Sequence, residues 1–247
     1  MVNSLPRPVA ATRRSSLAPI HTLLGVQTLV VILVSINRLS TLTTGYVLPN
    51  EFLRWQDLLN MLVLPLISAI AFYLLKRHLA YASPALDGRA HMALNITFIV
   101  GLYLLAASYG THEVTNYLHI RFCPDGDASA PCRIIVYNDD GFSHYVFFTG
   151  FVLMNAVILF MQALFPHEGK LAGGDVALLI VNSVFIGAGI FANLAFEEIG
   201  LDLYVVALLA ALAVALLIRK RHQPMFIYYT TAYVLGLVGT AAYKMLA

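Results

Sequence analysis

Seven apolar runs, each close to the length of a membrane-spanning helix, follow one another from Pro19 to Leu246 and leave no interval long enough for a soluble domain. A helix needs ~20 predominantly apolar residues to cross the hydrocarbon core of a bilayer. Within that core every backbone amide must find its partner inside the protein, so a spanning chain is restricted to helices or a closed barrel. These runs are continuous rather than alternating, which predicts helices over Pro19–Ile36, Leu58–Leu75, Met92–Gly110, Ser143–Phe165, Val176–Phe196, Leu203–Ile218 and Phe226–Leu246. The expected fold class is all-α: a polytopic integral membrane bundle of seven transmembrane helices. Residues 1–18 read as a polar cytoplasmic tail. Residues 19–247 read as a single seven-helix membrane domain with an outer loop at about 120–139. The first run lacks a small-residue cleavage site and is expected to be a retained signal anchor.

Composition excludes several function classes. With 60% apolar and 11% charged residues in 247, the chain does not resemble a water-soluble domain. A net charge of +2 without a basic stripe predicts no nucleic-acid partner. Basic residues do set an orientation. With the N-terminus inside and the C-terminus outside, ten of them (Arg7, Arg13, Arg14, Lys76, Arg77, Arg89, Lys170, Arg219, Lys220 and Arg221) fall on the cytoplasmic side. The other five (Arg38, Arg54, Arg121, Arg133 and Lys244) fall outside, as the positive-inside rule requires. Cys123 and Cys132, the only cysteines, then share an outer loop where a disulfide persists. The expected location is the plasma (inner) membrane, with the polar cluster facing the extracytoplasmic side.

That cluster lies between Thr111 and His144, a polar interval holding three of the eight histidines and an Asn-Asp-Asp run. If the third helix continues past Gly110, then His112, Asn116 and His119 share a face. Asp140 and His144 stand one turn apart at the start of the fourth helix, where Asp139 is the expected N-cap. On the fifth helix Asn182, Gly189, Asn193 and Glu197 trace a small and polar stripe, broken by Ile186, that carries Glu197 and Glu198 to the same rim. Imidazoles and carboxylates are the ligand set of zinc or non-haem iron. His112, His119, Asp140, His144 and Glu197 are therefore candidate metal ligands. His112, Asp140, His144, Glu197 and Glu198 are candidate catalytic groups. Small residues four apart, at Ala207, Ala211 and Ala215, at Ala188 and Ala192, and at Gly236 and Thr240, are expected to line helix contacts.

Several known chemistries are ruled out by pattern. His112-Glu113 lacks the second histidine of a zinc-protease helix. The order of His112, Asn116 and the Glu197-Glu198 pair is the reverse of that in intramembrane CAAX-type proteases. Lys244 stands too near the last residue for a retinal Schiff base. The stretch from Asp140 to Gly150 resembles the DxxxH start of a helix in VanZ-like membrane proteins, over those residues alone, and implies no activity. What remains is an integral membrane enzyme, with zinc or iron as the possible cofactor, acting on a lipid or isoprenoid-like amphiphile drawn from the membrane lipid. Two other classes fit the same cluster: a transporter or proton-coupled carrier, and a non-catalytic membrane subunit or assembly factor.

Overall fold

The computed structural model describes residues 16–80, 88–126, 128–196, 200–220 and 222–246. Among them are seven helices long and apolar enough to cross a membrane: α1 (Ala18–Leu39), α2 (Trp55–Ala80), α3 (Gly88–Phe122), α4 (Ala130–Leu164), α5 (Gly173–Phe196), α6 (Leu201–Arg219) and α7 (Pro224–Leu246). No strand occurs among the described residues; Tyr46 and Arg54 form one isolated bridge. The chain is thus an all-α integral membrane protein.

The helices close into a ring in the order α1, α2, α3, α4, α6, α7, α5, with α4 also touching α2 and α7 across the middle. That position makes α4 the central element: 56% of its apolar window is buried, against 11% for α3 on the rim. Large apolar side chains such as Leu66, Ile99, Leu208 and Val238 face outward. In water such a surface would aggregate; against acyl chains it is the expected outer face of the bundle.

Two glycine crossings fix the closest approaches. A Cβ at Gly150 of α4 would lie 2.7 Å from the Gly101 carbonyl oxygen and 2.9 Å from the Leu105 amide nitrogen, both backbone atoms of α3. At the α5–α7 crossing a Cβ at Gly236 would meet Ile190, and one at Gly187 would lie 3.0 Å from the Ala232 oxygen. Of the expected small stripes, only Gly236 and Thr240 are packed. Ala188, Ala192, Ala207, Ala211 and Ala215 all face outward. On α6 the packed side is instead Val206, Leu209, Ala210 and Ala213. Apolar burial against α4 and α7 outweighs the chance spacing of alanines along a helix that is apolar all round.

The largest departure from expectation is at the end of the bundle that holds the cysteines. Helix α3 runs on to Phe122, and α4 starts at Ala130, thirteen residues ahead of Ser143 (143 − 130). The start is coded locally. Ser129 accepts a hydrogen bond from the Cys132 amide at 3.3 Å, Pro131 sits in the first turn, and an apolar Ile134–Val136 run follows. Among the described residues only 123–126, 128 and 129 lie between α3 and α4, and Cys123 and Cys132 stand at disulfide distance with Cα atoms 5.6 Å apart. At this end both α2 and α4 contain a π-helical turn, over Leu59–Val63 and Tyr137–Phe142, and both turns pack on α3. One extra residue per turn re-aims the side chains around it, and such turns are frequent at functional sites.

Candidate metal centre

The π turn in α4 decides which aspartate faces the bundle. Asp139 and Ser143, four apart, are both fully buried against α3, while Asp140 turns outward with its side chain 59% exposed. Ser108 of α3 donates to the Ser143 carbonyl at 2.8 Å, and the Ser143 hydroxyl donates to the Asp139 carbonyl, so the register is pinned by hydrogen bonds. Asp139 is therefore no helix cap; it lies inside a continuous helix, and its carboxylate works across the α3–α4 interface.

Two histidines of α3 meet that carboxylate. His112 donates through Nδ1 to Asp139 Oδ1 at 2.8 Å, and His119 donates through Nδ1 to Oδ2 at 2.9 Å. Seven residues is two helical turns, so both rings descend from one face of α3 onto one acid. Between them Thr115, rather than Asn116, comes within 3.4 Å of Asp139 Oδ1. A carboxylate with no exposure costs heavily unless its lone pairs are filled; here each oxygen has its own charge-assisting donor.

Around this core the other candidates take different places. Asp140 Oδ2 lies 3.9 Å from His119 Nδ1. His144 donates through Nδ1 to the Asp140 backbone carbonyl at 3.1 Å, and its ring stands edge-on to His112 at 5.0 Å between centroids. Asn182 of the fifth-helix stripe bonds Thr28 of α1 at 2.7 Å, a packing contact on the far side of the bundle. Glu197 and Glu198 lie outside the described residues.

One donor atom each of His119, Asp139 and Asp140 falls within 4.8 Å of the other two. Ligands ~2.1 Å from a common ion stand roughly 3–3.5 Å from one another, so a cation here would take the place of the proton that His119 Nδ1 donates to Asp139 Oδ2 at 2.9 Å, with Asp140 Oδ2 3.9 Å from the same nitrogen. Two carboxylates and a neutral imidazole balance a divalent charge. His112, holding the other oxygen of Asp139, is the kind of outer partner that orients a ligating carboxylate. Of the five expected ligands, His119 and Asp140 fall with Asp139 in a group that could hold a metal ion, His112 and His144 flank that group, and Glu197 lies outside the described residues.

A second polar layer packs on the opposite flank of α3, where Glu113, Tyr117 and Arg121 recur at one-turn spacing. Arg38 of α1 donates to the buried Glu113 carboxylate at 2.6 Å. Arg54 grips buried Asp57 with two hydrogen bonds, 2.9 Å from Nε and 2.7 Å from Nη2, and that bond raises the guanidinium above its ordinary pKa. Asn37 donates to Asn60 in the α2 π turn at 2.9 Å. Neither Glu113 nor Asp57 is among the candidate site residues read from the sequence. The signal that distinguishes them is the nearby unpaired basic residue, Arg38 or Arg54, on an otherwise base-poor side.

No family model matches the sequence, and neither the curated proteins nor the solved structures contain a match.

Proposed function

We propose that this chain is a membrane-embedded, divalent-metal-dependent hydrolase acting on a lipid or isoprenoid-like amphiphile, with its centre facing the extracytoplasmic side. One observation carries the proposal: His119, Asp139 and Asp140 bring three donor atoms within 4.8 Å at the rim of the bundle, with Asp139 wholly buried. Three protein ligands leave at least one coordination position for water or substrate, the pattern of catalytic rather than structural sites. Zinc or iron(II) suits one imidazole with two carboxylates. A cation held there would supply an activated water and a Lewis acid at neutral pH.

The chain's own residues do the rest. Asp139 spans the two helices and fixes the centre's position. His112 keeps its oxygen in place. The paired His112 and His144 rings offer imidazoles beside the centre to accept a proton from the attacking water and return it to the leaving group. The side assignment is supported by the ten-to-five division of basic residues and by the cysteine pair at this end.

Purified protein in detergent, presented with short-chain ester and phosphoester amphiphiles, is expected to hydrolyse one of the classes. The activity should disappear with a chelator, return with zinc or iron(II), and fall at least a hundredfold in His119→Ala. Activity that survives chelation and the His119→Ala change contradicts the proposal.

A further inference from the structure

A cavity of about 260 Å³ lies on the flank of α3 away from Asp139, and nothing in the proposed centre uses it. It is lined by Phe52, Leu53, Val114, Leu118 and Phe122 together with Glu113, Tyr117 and Arg121, and is half open, Phe52 and Phe122 being exposed. Glu113 is already neutralised by Arg38, so the cavity presents an apolar interior and a single working cation.

The segment between α1 and α2 forms the other side of this cavity. It folds as a tight hairpin, with Val47 donating to the Leu53 carbonyl at 2.8 Å and Trp55 to the Gly45 carbonyl at 2.9 Å. At its tip Glu51 adopts φ +56°, a left-handed conformation uncommon for a residue with a side chain. That turn aims the Glu51 carbonyl at α3, where the Tyr117 hydroxyl donates to it at 2.6 Å and Arg121 Nη1 donates as well. Arg121 Nη1 also donates to the Tyr117 oxygen. One nitrogen of Arg121 is thereby committed to holding the hairpin.

The remaining edge of the guanidinium is not. Among the described residues Nε and Nη2 make no hydrogen bond. The nearest acid, Glu51 Oε2, is 3.8 Å from Nη2 and belongs to a side chain 58% exposed. The Tyr46, Tyr117 and Phe122 rings surround the guanidinium at 5.5 to 6.0 Å and hold its plane. An oriented Nε/Nη2 edge is the fork that accepts a carboxylate or phosphate through two parallel hydrogen bonds.

We infer that this cavity seats a single-chain amphiphile with an anionic oxyacid head, the head on the Nε/Nη2 edge of Arg121 and the first part of the chain between Leu118, Val114 and Phe52. Glu51 is the weak internal competitor that the head displaces. The seat requires no metal at Asp139, and its occupancy is independent of the hydrolase proposal. A fatty carboxylate and an alkyl phosphate share the required chemistry.

Native mass spectrometry of the full-length protein in neutral maltoside tests the seat with four probes: dodecanoate, dodecyl phosphate, dodecanol and inorganic phosphate. The expected result is one saturable adduct with dodecanoate or dodecyl phosphate, the tighter of the two naming the head, and at least tenfold weaker binding of dodecanol and of phosphate. Arg121→Gln and Leu118→Trp, which fills the cavity and leaves the cation, should each weaken the adduct at least tenfold. Glu51→Gln should tighten it severalfold, and its change is confined to an exposed side chain, so it speaks even if the other variants fold poorly. His119→Ala should leave it unchanged. Dodecanol binding as tightly as the anions, phosphate binding alone, or indifference to Arg121→Gln, Leu118→Trp and Glu51→Gln overturns the inference.

Discussion

Replacing Asp139 by asparagine keeps the shape of the side chain and removes its charge, which isolates what the carboxylate does. In the native arrangement both oxygens accept from a histidine Nδ1–H, at 2.8 and 2.9 Å, with no solvent contact. Asparagine offers one oxygen, so one histidine keeps its bond to a now neutral acceptor. The other faces an amide NH₂ and must move its own proton to Nε2 in order to accept. A hydrogen bond to a charged group contributes about 1.5–3 kcal/mol and one to a neutral group roughly half that, which sets the loss at about 2 kcal/mol. At 2–4 °C per kcal/mol for a chain of this size, the melting temperature should fall by ~4–8 °C in chelator-treated protein. Asp140→Asn is the control. Its exposed side chain has only the 3.9 Å approach to His119, and exposed pairs of this kind contribute little, so its shift should stay within ~2 °C. Differential scanning fluorimetry in neutral detergent measures both, and ¹⁵N spectra of labelled histidine should show one ring changing tautomer in Asp139→Asn. Equal shifts for the two variants, or unchanged tautomers, would refute a carboxylate shared between His112 and His119.

Three further outcomes follow from other parts of the fold. Arg38→Met should destabilise by about 3–5 kcal/mol because it strands the buried Glu113 carboxylate, and the double change with Glu113→Met should recover most of that loss; a melting series separates the two. Gly150→Ala should push α3 and α4 apart, since the new Cβ meets backbone rather than a movable side chain, and cost about 1–3 kcal/mol, whereas Ala207→Leu on the outward face of α6 should stay within ~0.5 kcal/mol in the same melts. Cys123→Ser with Cys132→Ser should cost up to about 2–3 kcal/mol by freeing the short loop it closes, and should weaken metal binding because the clip fixes the end of α3 that carries His119; melting with and without metal reads both effects.

The seven helices were legible because a bilayer demands long apolar runs and the chain supplies them without ambiguity. The α3–α4 polar cluster was legible as a location for the same reason: ionisable groups are costly at a membrane rim. Its centre was not, and the cause is a register. Reading Ser143 as the first residue of the fourth helix put Asp140 and His144 on the inner face. The helix actually begins at Ala130, and its buried stripe runs Met154, Gly150, Ser143, Asp139. Carrying the small buried positions Gly150 and Ser143 back by one more turn reaches Asp139, so the pattern was present. The Ser129-Ala130-Pro131 start was the stronger overlooked signal, being an N-cap with proline in the first turn. The π turn itself has no such local signature; which residue re-aims depends on packing against α3. The alanine stripes failed for a different reason. On helices that are apolar all round, small spacing alone does not say which side meets a neighbour and which meets lipid.

The central claim, that His119, Asp139 and Asp140 hold one divalent ion, is tested most directly by X-ray absorption at the metal edge on protein loaded with one equivalent of zinc. The expected spectrum has a first shell of light nitrogen and oxygen ligands at ~2.0–2.2 Å with the outer-shell scattering of a single imidazole, and His119→Ala should lose both the imidazole scattering and the bound metal. A spectrum with no imidazole contribution, or one identical in wild type and His119→Ala, would contradict it.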